Sequence, residues 1–405
     1  MKRFFKALCI VIFLICICVF SAVCYGYSSL PDEITVNEGE EADFGNFYFC
    51  KNREPVKAAS AGMNRTEYKS QITALKIIPV KDIKINMTKR RFVAPGGDTF
   101  GIKLYTKGVI VVSIDSVTTS QGNADPAVSA GIKCGDIITH INDEPATSSQ
   151  QMTEAIEGSG GSPLRLRIDR NGEASELYLT PVMSVNGKYK AGIWVRDSSA
   201  GIGTVTFYDD ASGMFAGLGH GVCDVDTGKI MPLSNGEAVR AKVNGFYKSN
   251  AGNPGELCGV FTDIALGSLR VNHEMGVYGE LLQPSGAKVI PVALENEVKP
   301  GKAQMITTID GSGPQYYDIE ITKIYPSSDL SARNMIIRVT DPVLLEKTGG
   351  IIQGMSGSPI VQNSMLVGAV THVFVNSPDQ GYAVFAGRML ETMDSLKNDE
   401  FAKVS

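Results

Sequence analysis

The hydrophobic and polar positions of this 405-residue chain fall into four successive patterns. The first is an uncharged apolar run, Ala7 to Val23, preceded by Lys2, Arg3 and Lys6. A basic flank before an apolar stretch is the pattern of an export signal. The run approaches the length of a spanning helix, about 20 residues at about 1.5 Å each. Residues 1–26 are therefore expected to be a signal peptide or a membrane anchor, with the basic end cytoplasmic and the rest exported. Residues 27–90 show no sustained period. An acidic start, Glu38 to Glu41, gives way to a strand-like run, Ala74 to Val80, and the segment reads as an extended linker with a few strands.

Residues 91–182 are patterned more tightly. Phe100 to Leu104 and Val109 to Ile114 read as strands, and a short helix is expected from Ser149 to Ile156, capped by Thr147 or Ser148. Leu164, Leu166 and Ile168 alternate with Arg165 and Arg167, the period of a half-buried strand. Asn171-Gly172 supplies a tight hairpin turn, and Leu177 and Leu179 continue the return strand. From about residue 190 to the end, short strands alternate with Gly-rich turns, as in a barrel pair or a sandwich. A closing helix is expected from Gly387 to Lys397.

Composition narrows the functional classes. Hydrophobic residues make up 43% and charged residues 20%, the profile of a globular chain. The net charge is −5 and no basic block follows the N-terminus, which argues against nucleic-acid binding. Four of the eight cysteines lie in or beside the apolar run; Cys50, Cys134, Cys223 and Cys258 remain, with no C-x-x-C pair. Their sparse spacing suggests free, buried thiols. No metal cluster, phosphate loop or nucleotide motif is present, so no cofactor is expected.

The stretch that carries chemistry is Gly354-Met355-Ser356-Gly357-Ser358-Pro359. A serine hydroxyl needs a general base and donors for the developing oxyanion. Glycines around Ser356 permit a sharp turn, and the N–H groups of Gly354 and Ser356 can aim at one point. Pro359 to Val361 and Leu366 to Thr371 then form a strand pair across a polar turn. The base must come from four histidines. His220, framed by Gly217, Gly219 and Gly221, has room in a cleft and precedes the serine. His140 and His273 have less framing, and His372 follows Ser356 on the hairpin strand, a place for substrate contact. The orienting carboxylate is open among Asp224, Asp226, Asp263 and Asp341.

Three resemblances follow from these residues. The run Ala130 to Asn142 with its surroundings resembles a PDZ domain, which implies that Phe100, Gly101, Ile102 and Leu104 form the peptide-binding loop and strand edge. The Ser356 region with its hairpin resembles the nucleophile region of chymotrypsin-fold peptidases, whose order is His, Asp, Ser. Over nearly its full length the chain resembles the stage IV sporulation protein B family of endospore-forming Firmicutes. The resemblance rests on the order of apolar segment, PDZ, Gly201 to Phe207, Leu218 to Gly221, Asp224 to Thr227 and Gly354 to Pro359.

That resemblance implies a mainly β chain, with a PDZ domain at 91–182 and a double-barrel peptidase at 190–405. It implies the triad His220, Asp341 and Ser356. It also implies export from the forespore into the space between forespore and mother cell, and possible anchorage in the forespore inner membrane. The implied substrate is the extracytoplasmic part of a regulator in an intramembrane metalloprotease complex, whose release permits sigma-K precursor processing. Self-cleavage is implied within residues 27–90, with a peptide or the chain's own N-terminal segment in the PDZ groove. An envelope quality-control protease and a non-catalytic PDZ scaffold are the competing readings.

Overall fold

The computed structural model of the chain describes residues 2–30, 32–40, 48–55, 66–325 and 332–404. The chain divides into two units: Met1–Arg91 with Leu294–Val298, and Phe92–Ala293 with Lys299–Ser405.

The first unit opens with helix α1 (Lys2–Ser29), 28 residues and about 42 Å long. Its segment Leu8–Ser28 is long and apolar enough to cross a membrane, by length and composition. Strands β1 (Glu33–Asn37), β2 (Tyr48–Pro55), β3 (Thr66–Ala74) and β4 (Ile78–Thr88) follow. They form one sheet in the order β1-β4-β3-β2, with β1 parallel to β4. The expected extended linker is thus a sheet with a small core of Ile34, Val36, Ile72, Ile83 and Ile85. Ile83 and Ile85, two residues apart on β4, point to the same face and supply its centre. Within the expected self-cleavage region, residues 31, 41–47 and 56–65 lie outside the described residues.

The second unit begins with β5 (Phe92–Pro95) and β6 (Thr99–Ile114). After β6 come the hairpin β7 (Val117–Thr119) and β8 (Gly122–Ala124), then α2 (Pro126–Ser129), β9 (Ile137–Ile141) and β10 (Glu144–Pro145). Helix α3 (Ser149–Gly158), strands β11 (Leu164–Arg170) and β12 (Glu173–Leu179), and the hairpin β13 (Val182–Met183) and β14 (Tyr189–Lys190) complete this excursion. The Ser148 hydroxyl caps α3 by accepting the Gln151 N–H. Asn171 and Gly172 both take positive φ, 58° and 87°, in the β11–β12 turn, as a tight hairpin requires.

Strand β15 (Ile193–Asp209) returns along β6 for almost its whole length. Its first part, Ile193 to Arg196, pairs with Ile110 to Ile114; its middle, Ser198 to Thr204, pairs with Thr99 to Tyr105. The outer ends of these two strands share a core with the excursion, built on Val109, Val111, Ile138, Met152, Ile156, Leu166 and Ile168. The inner ends close a barrel with β16 (Met214–Gly217), β17 (Leu233–Tyr247), β18 (Glu256–His273) and β19 (Gly276–Leu281). The ring runs β6-β17-β18-β19-β16-β15 and back to β6. The PDZ body is inserted into the first barrel, and that barrel already owns residues 99–106.

Strand β20 (Ile290–Pro291) pairs with β5. A second closed barrel follows, β21-β22-β23-β26-β25-β24, made of β21 (Gly301–Thr307), β22 (Gln315–Ile324), β23 (Met335–Val339), β24 (Pro359–Gln362), β25 (Met365–Phe374) and β26 (Ser377–Phe385). Helix α4 (Pro342–Thr348) lies between β23 and β24, and α5 (Ala386–Val404) closes the chain. The fold is mainly β, with a PDZ body and two six-stranded barrels. Cys134 and Cys223 are free and exposed, and Cys258 is free and partly exposed, so these three thiols are not buried as expected; the Cys50 side chain lies outside the described residues.

One buried charge organises the PDZ body. Asp136 is 1% exposed. Its Oδ1 accepts from Arg170 Nε (2.7 Å), and its Oδ2 accepts from Arg170 Nη2 (2.7 Å) and the Lys133 N–H (2.8 Å). The bond from the Lys133 N–H closes the local turn, and the arginine clamp comes from the distant strand β11. Asp136→Ala leaves the donors without their acceptor and is expected to cost about 3 kcal/mol. Thermal unfolding, resolved for the PDZ body by hydrogen exchange, measures it.

Candidate active site

The loop 351–358 carries Ser356 between α4 and β24. Gly354 and Gly357 both take φ +94°. Gly357 lies so close to β15 and to the turn after β16 that a Cβ would stand 2.1 Å from the Thr204 carbonyl oxygen and 2.4 Å from Leu218 N. Only glycine fits there.

Two hydrogen bonds orient the peptide planes of this loop. The Gln353 carbonyl accepts the Leu257 N–H (2.9 Å), and the Met355 carbonyl accepts the Ser358 N–H (2.9 Å). A trans peptide points its N–H opposite to its carbonyl. The Gly354 and Ser356 N–H groups therefore point away from those bonds, and neither has an acceptor among the described residues. These are the two donors expected for an oxyanion. The Ser356 hydroxyl donates to the Thr371 carbonyl on β25 at 2.7 Å.

His220 lies in the turn that leaves β16. Leu218 there takes φ +67°, an uncommon conformation for a branched residue and the kind of strain that functional sites hold. A Cβ on Gly219 would reach 3.0 Å from Thr371 Cγ2, so the His220 turn rests on the strand that takes the Ser356 bond. Asn272 on β18 ties the turn down. It accepts the Val222 N–H (2.7 Å) and donates to the carbonyls of Val222 (2.7 Å) and Met231 (2.9 Å).

His220 Nδ1 stands 2.8 Å from the Gly221 carbonyl oxygen. A carbonyl only accepts, so in this bond Nδ1 carries the proton and Nε2 of a neutral ring is left as the basic nitrogen. The His220 and His372 rings stack at 4.7 Å between centroids, tilted by 33°. Burial lowers the His220 pKa below the ordinary histidine value, and the Gly221 carbonyl opposes this in part. His372 is lowered to about 4, first by burial, then by His220 and Arg333. Its Nδ1 is buried with no partner among the described residues.

The structure thus brings Ser356, His220, Thr371 and His372 into one neighbourhood between the barrels. Asp341 is not in it. Its carboxylate caps α4, accepting the N–H groups of Val343 (2.9 Å) and Leu344 (3.0 Å) through Oδ1, and that of Asp318 (3.3 Å) through Oδ2. The expected His220–Asp341 contact is replaced by a helix cap and by the Gly221 carbonyl. The other carboxylates are also occupied or remote. Asp224 is buried, pairs with Arg196 and closes its own turn on Thr227; Asp226 pairs with Arg196 as well. Asp263 is exposed on β18. Outside the cluster, His273 Nδ1 accepts the Met275 N–H and His140 contacts Thr139.

The four expected peptide-binding residues are likewise displaced. Phe100, Ile102 and Leu104 are buried in the first barrel's core. Their strand is bonded on both edges, to β17 and to β15. Phe100, Gly101, Ile102 and Leu104 therefore offer no edge for an added strand. The strand beside α3 is β15 instead: Asp197 accepts the Ser149 N–H at 2.8 Å. Among the described residues, the edge of β15 opposite β6 has no strand partner from Ile193 to Gly203.

Comparison with known proteins agrees with this architecture. The profile of the SpoIVB peptidase S55 family matches residues 187–390, about half of the chain, and a PDZ domain profile matches 84–180. The chain belongs to the SpoIVB peptidase S55 family. It is a serine peptidase with a PDZ domain. The regulator of sigma-E protease RseP of Salmonella typhimurium is 39% identical over 71 residues, 17% of this chain and 16% of that protein. The chain spans about a quarter or less of the length of the curated relatives it matches first. The Rv3671c protease of M. tuberculosis in its active form is 14% identical with a TM-score of 0.28, covering 48% of this chain and 72% of its own. The HtrA-type protease AlgW with a decapeptide is 14% identical with a TM-score of 0.30, covering 50% and 55%.

In this S55 chain the cap geometry of Asp341 yields a prediction. Asparagine also caps helices, so Asp341→Asn is expected to keep the fold and to hold kcat/KM within about threefold. Asp341→Ala loses about 1–2 kcal/mol of stability. A loss near 10⁴-fold in Asp341→Asn, the size seen when a triad carboxylate is neutralised, would return this residue to the reaction. Sequence reasoning also missed Asn272 and Thr371. Their contributions run through backbone groups brought together only by barrel closure, so no local pattern announced them.

Proposed function

We propose that the chain is an exported signalling endopeptidase in which Ser356 is the nucleophile and His220 the general base. The observation that carries this reading is the pairing of two free N–H donors, on Gly354 and Ser356, with a neutral histidine whose tautomer leaves Nε2 basic. In this mechanism Ser356 turns from the Thr371 carbonyl toward His220 Nε2. His220 takes the proton as Oγ attacks the scissile carbonyl and returns it to the leaving amine. The two N–H groups receive the oxyanion, each worth about 3–4 kcal/mol in well-studied sites. The Gly221 carbonyl supplies the tautomer control that a carboxylate supplies elsewhere.

The proposed substrate is the extracytoplasmic part of a regulator in an intramembrane metalloprotease complex, cut in the space between forespore and mother cell during sporulation. Cleavage within residues 27–90 is part of the same reading. Two features favour a gated enzyme over a digestive one: the Ser356 hydroxyl rests on Thr371, and the PDZ body is built into the catalytic barrel. For the PDZ ligand, the open edge of β15 beside α3 takes the place first given to Phe100–Leu104. The test is digestion of a peptide library by the full chain in detergent, with the chain's own intact mass followed in parallel. One or few sites, and shortening within residues 27–90, are expected. Broad cleavage would replace the signalling role with envelope quality control. No cleavage of any kind would favour the PDZ scaffold.

A further inference from the structure

The run Gly201 to Phe207 has no role in the mechanism above, yet it passes directly behind the nucleophile loop. Thr204 and Thr206 alternate along β15 and so face the same side. Both are 0% exposed. The Thr204 hydroxyl donates to the Gly354 carbonyl at 2.8 Å, and the Thr206 hydroxyl donates to the Gly357 carbonyl at 2.8 Å. Between them, the Thr204 N–H donates to the Ser356 carbonyl at 3.0 Å. Three carbonyls of the loop are therefore held by one strand.

The placement matters because Gly354 carries one of the two free donors. A glycine has no side chain to stop a peptide flip. Its preceding plane is held by Leu257 through the Gln353 carbonyl. Its following plane is held from both sides: the Thr204 hydroxyl donates to its carbonyl, and its Met355 N–H donates to the Ile352 carbonyl at 3.1 Å within the loop, so Thr204 supplies the one tie from outside the loop. The plane after Gly357, on the far side of Ser356, is tied by the Thr206 hydroxyl at its carbonyl and by the Ser358 N–H to the Met355 carbonyl.

We propose that Thr204 and Thr206 are positioning residues of the peptidase. Their hydroxyls fix the Gly354 and Gly357 carbonyls, and this keeps the Gly354 and Ser356 N–H groups aimed at the reacting oxygen. They act through the loop and do not touch the substrate. The inference rests on Ser356 being the nucleophile, and its test separates the two claims.

The full chain in detergent is reacted with a fluorophosphonate, whose phosphoryl oxygen takes the oxyanion position, and the labelled residue is mapped. Wild type, Thr204→Val, Thr204→Ser and Thr206→Val are compared by labelling rate, with thermal midpoints measured beside them. Thr204→Val keeps the shape and removes the hydroxyl. Labelling about 10- to 100-fold slower is expected, the scale of a misaimed catalytic group. Thr204→Ser restores the hydroxyl and is expected to restore the rate to within about threefold. Should Thr204→Val fail to fold, Thr206→Val applies the same test at the Gly357 carbonyl. A folded Val variant that labels at the wild-type rate overturns the proposal. So does a Thr204→Ser variant that is slow, because the methyl group rather than the hydroxyl would then matter. A wild type that is not labelled at Ser356 overturns the nucleophile reading itself.

Discussion

Ser356→Ala is expected to abolish self-cleavage and cleavage of added substrate, a fall of at least about 10⁴-fold, while the fold stays intact. The first half follows from the chemistry: the variant has no atom that can form an acyl intermediate, and the residual rate is what donors and binding supply alone. The second half follows from the contacts. The hydroxyl makes one hydrogen bond, to the Thr371 carbonyl, and a typical bond of this kind contributes about 1 kcal/mol net. The loop is held by other groups: the Ser356 carbonyl by Thr204, and the neighbouring planes by Leu257 and Ser358. Intact mass of purified wild type and variant after matched incubation, with thermal midpoints, measures both halves. Self-cleavage that persists in the pure variant would place the nucleophile elsewhere.

What could be read from sequence depended on how local the interaction is. The β24–β25 hairpin, the Ser148 cap and the Asn171-Gly172 turn are set within a few residues, and each is found in the structure. Phe100 to Leu104 looked like a PDZ edge because its pattern is apolar and glycine-bearing. Its partners, Gly236 to Arg240 and Ser199 to Gly203, lie about a hundred residues or more away, so nothing nearby showed that both edges are taken. Residues 27–90 lacked a long period because their sheet buries only a few isoleucines and valines. The candidate site divides in the same way. Ser356 and His220 were visible because glycines frame them. Thr204 and Asn272 were not, because they act on the backbone of distant loops. Asp341 shows the opposite case: its triad role came from the family resemblance, while its place before Pro342 is locally that of a helix cap.

His220→Ala is expected to reduce turnover as far as the serine variant does, because the two groups act as a unit. The pH profile of the wild type gives the finer test. His220 must be neutral to accept the serine proton, and burial lowers its pKa below the ordinary value of about 6.5. The acid limb of kcat/KM is therefore expected below pH 6.5 rather than at or above it. His372 stacks on His220 and is itself held down to about 4, so it is neutral at pH 6.5 and adds no charge beside His220 there. Stability follows with its own sign. Both rings are kept neutral in the folded chain, and the unfolded chain takes up their protons first. Their burial therefore costs stability as pH falls from about 6.5, until the folded pKa values are reached. His372→Phe removes one buried, unpartnered nitrogen and keeps a flat ring against His220. It is expected to flatten the acid loss of stability while the limb for activity, set by His220, remains below pH 6.5. An acid limb above pH 7 in the wild type would mean that a negative charge reaches His220 in the working enzyme, and would return a carboxylate to its side.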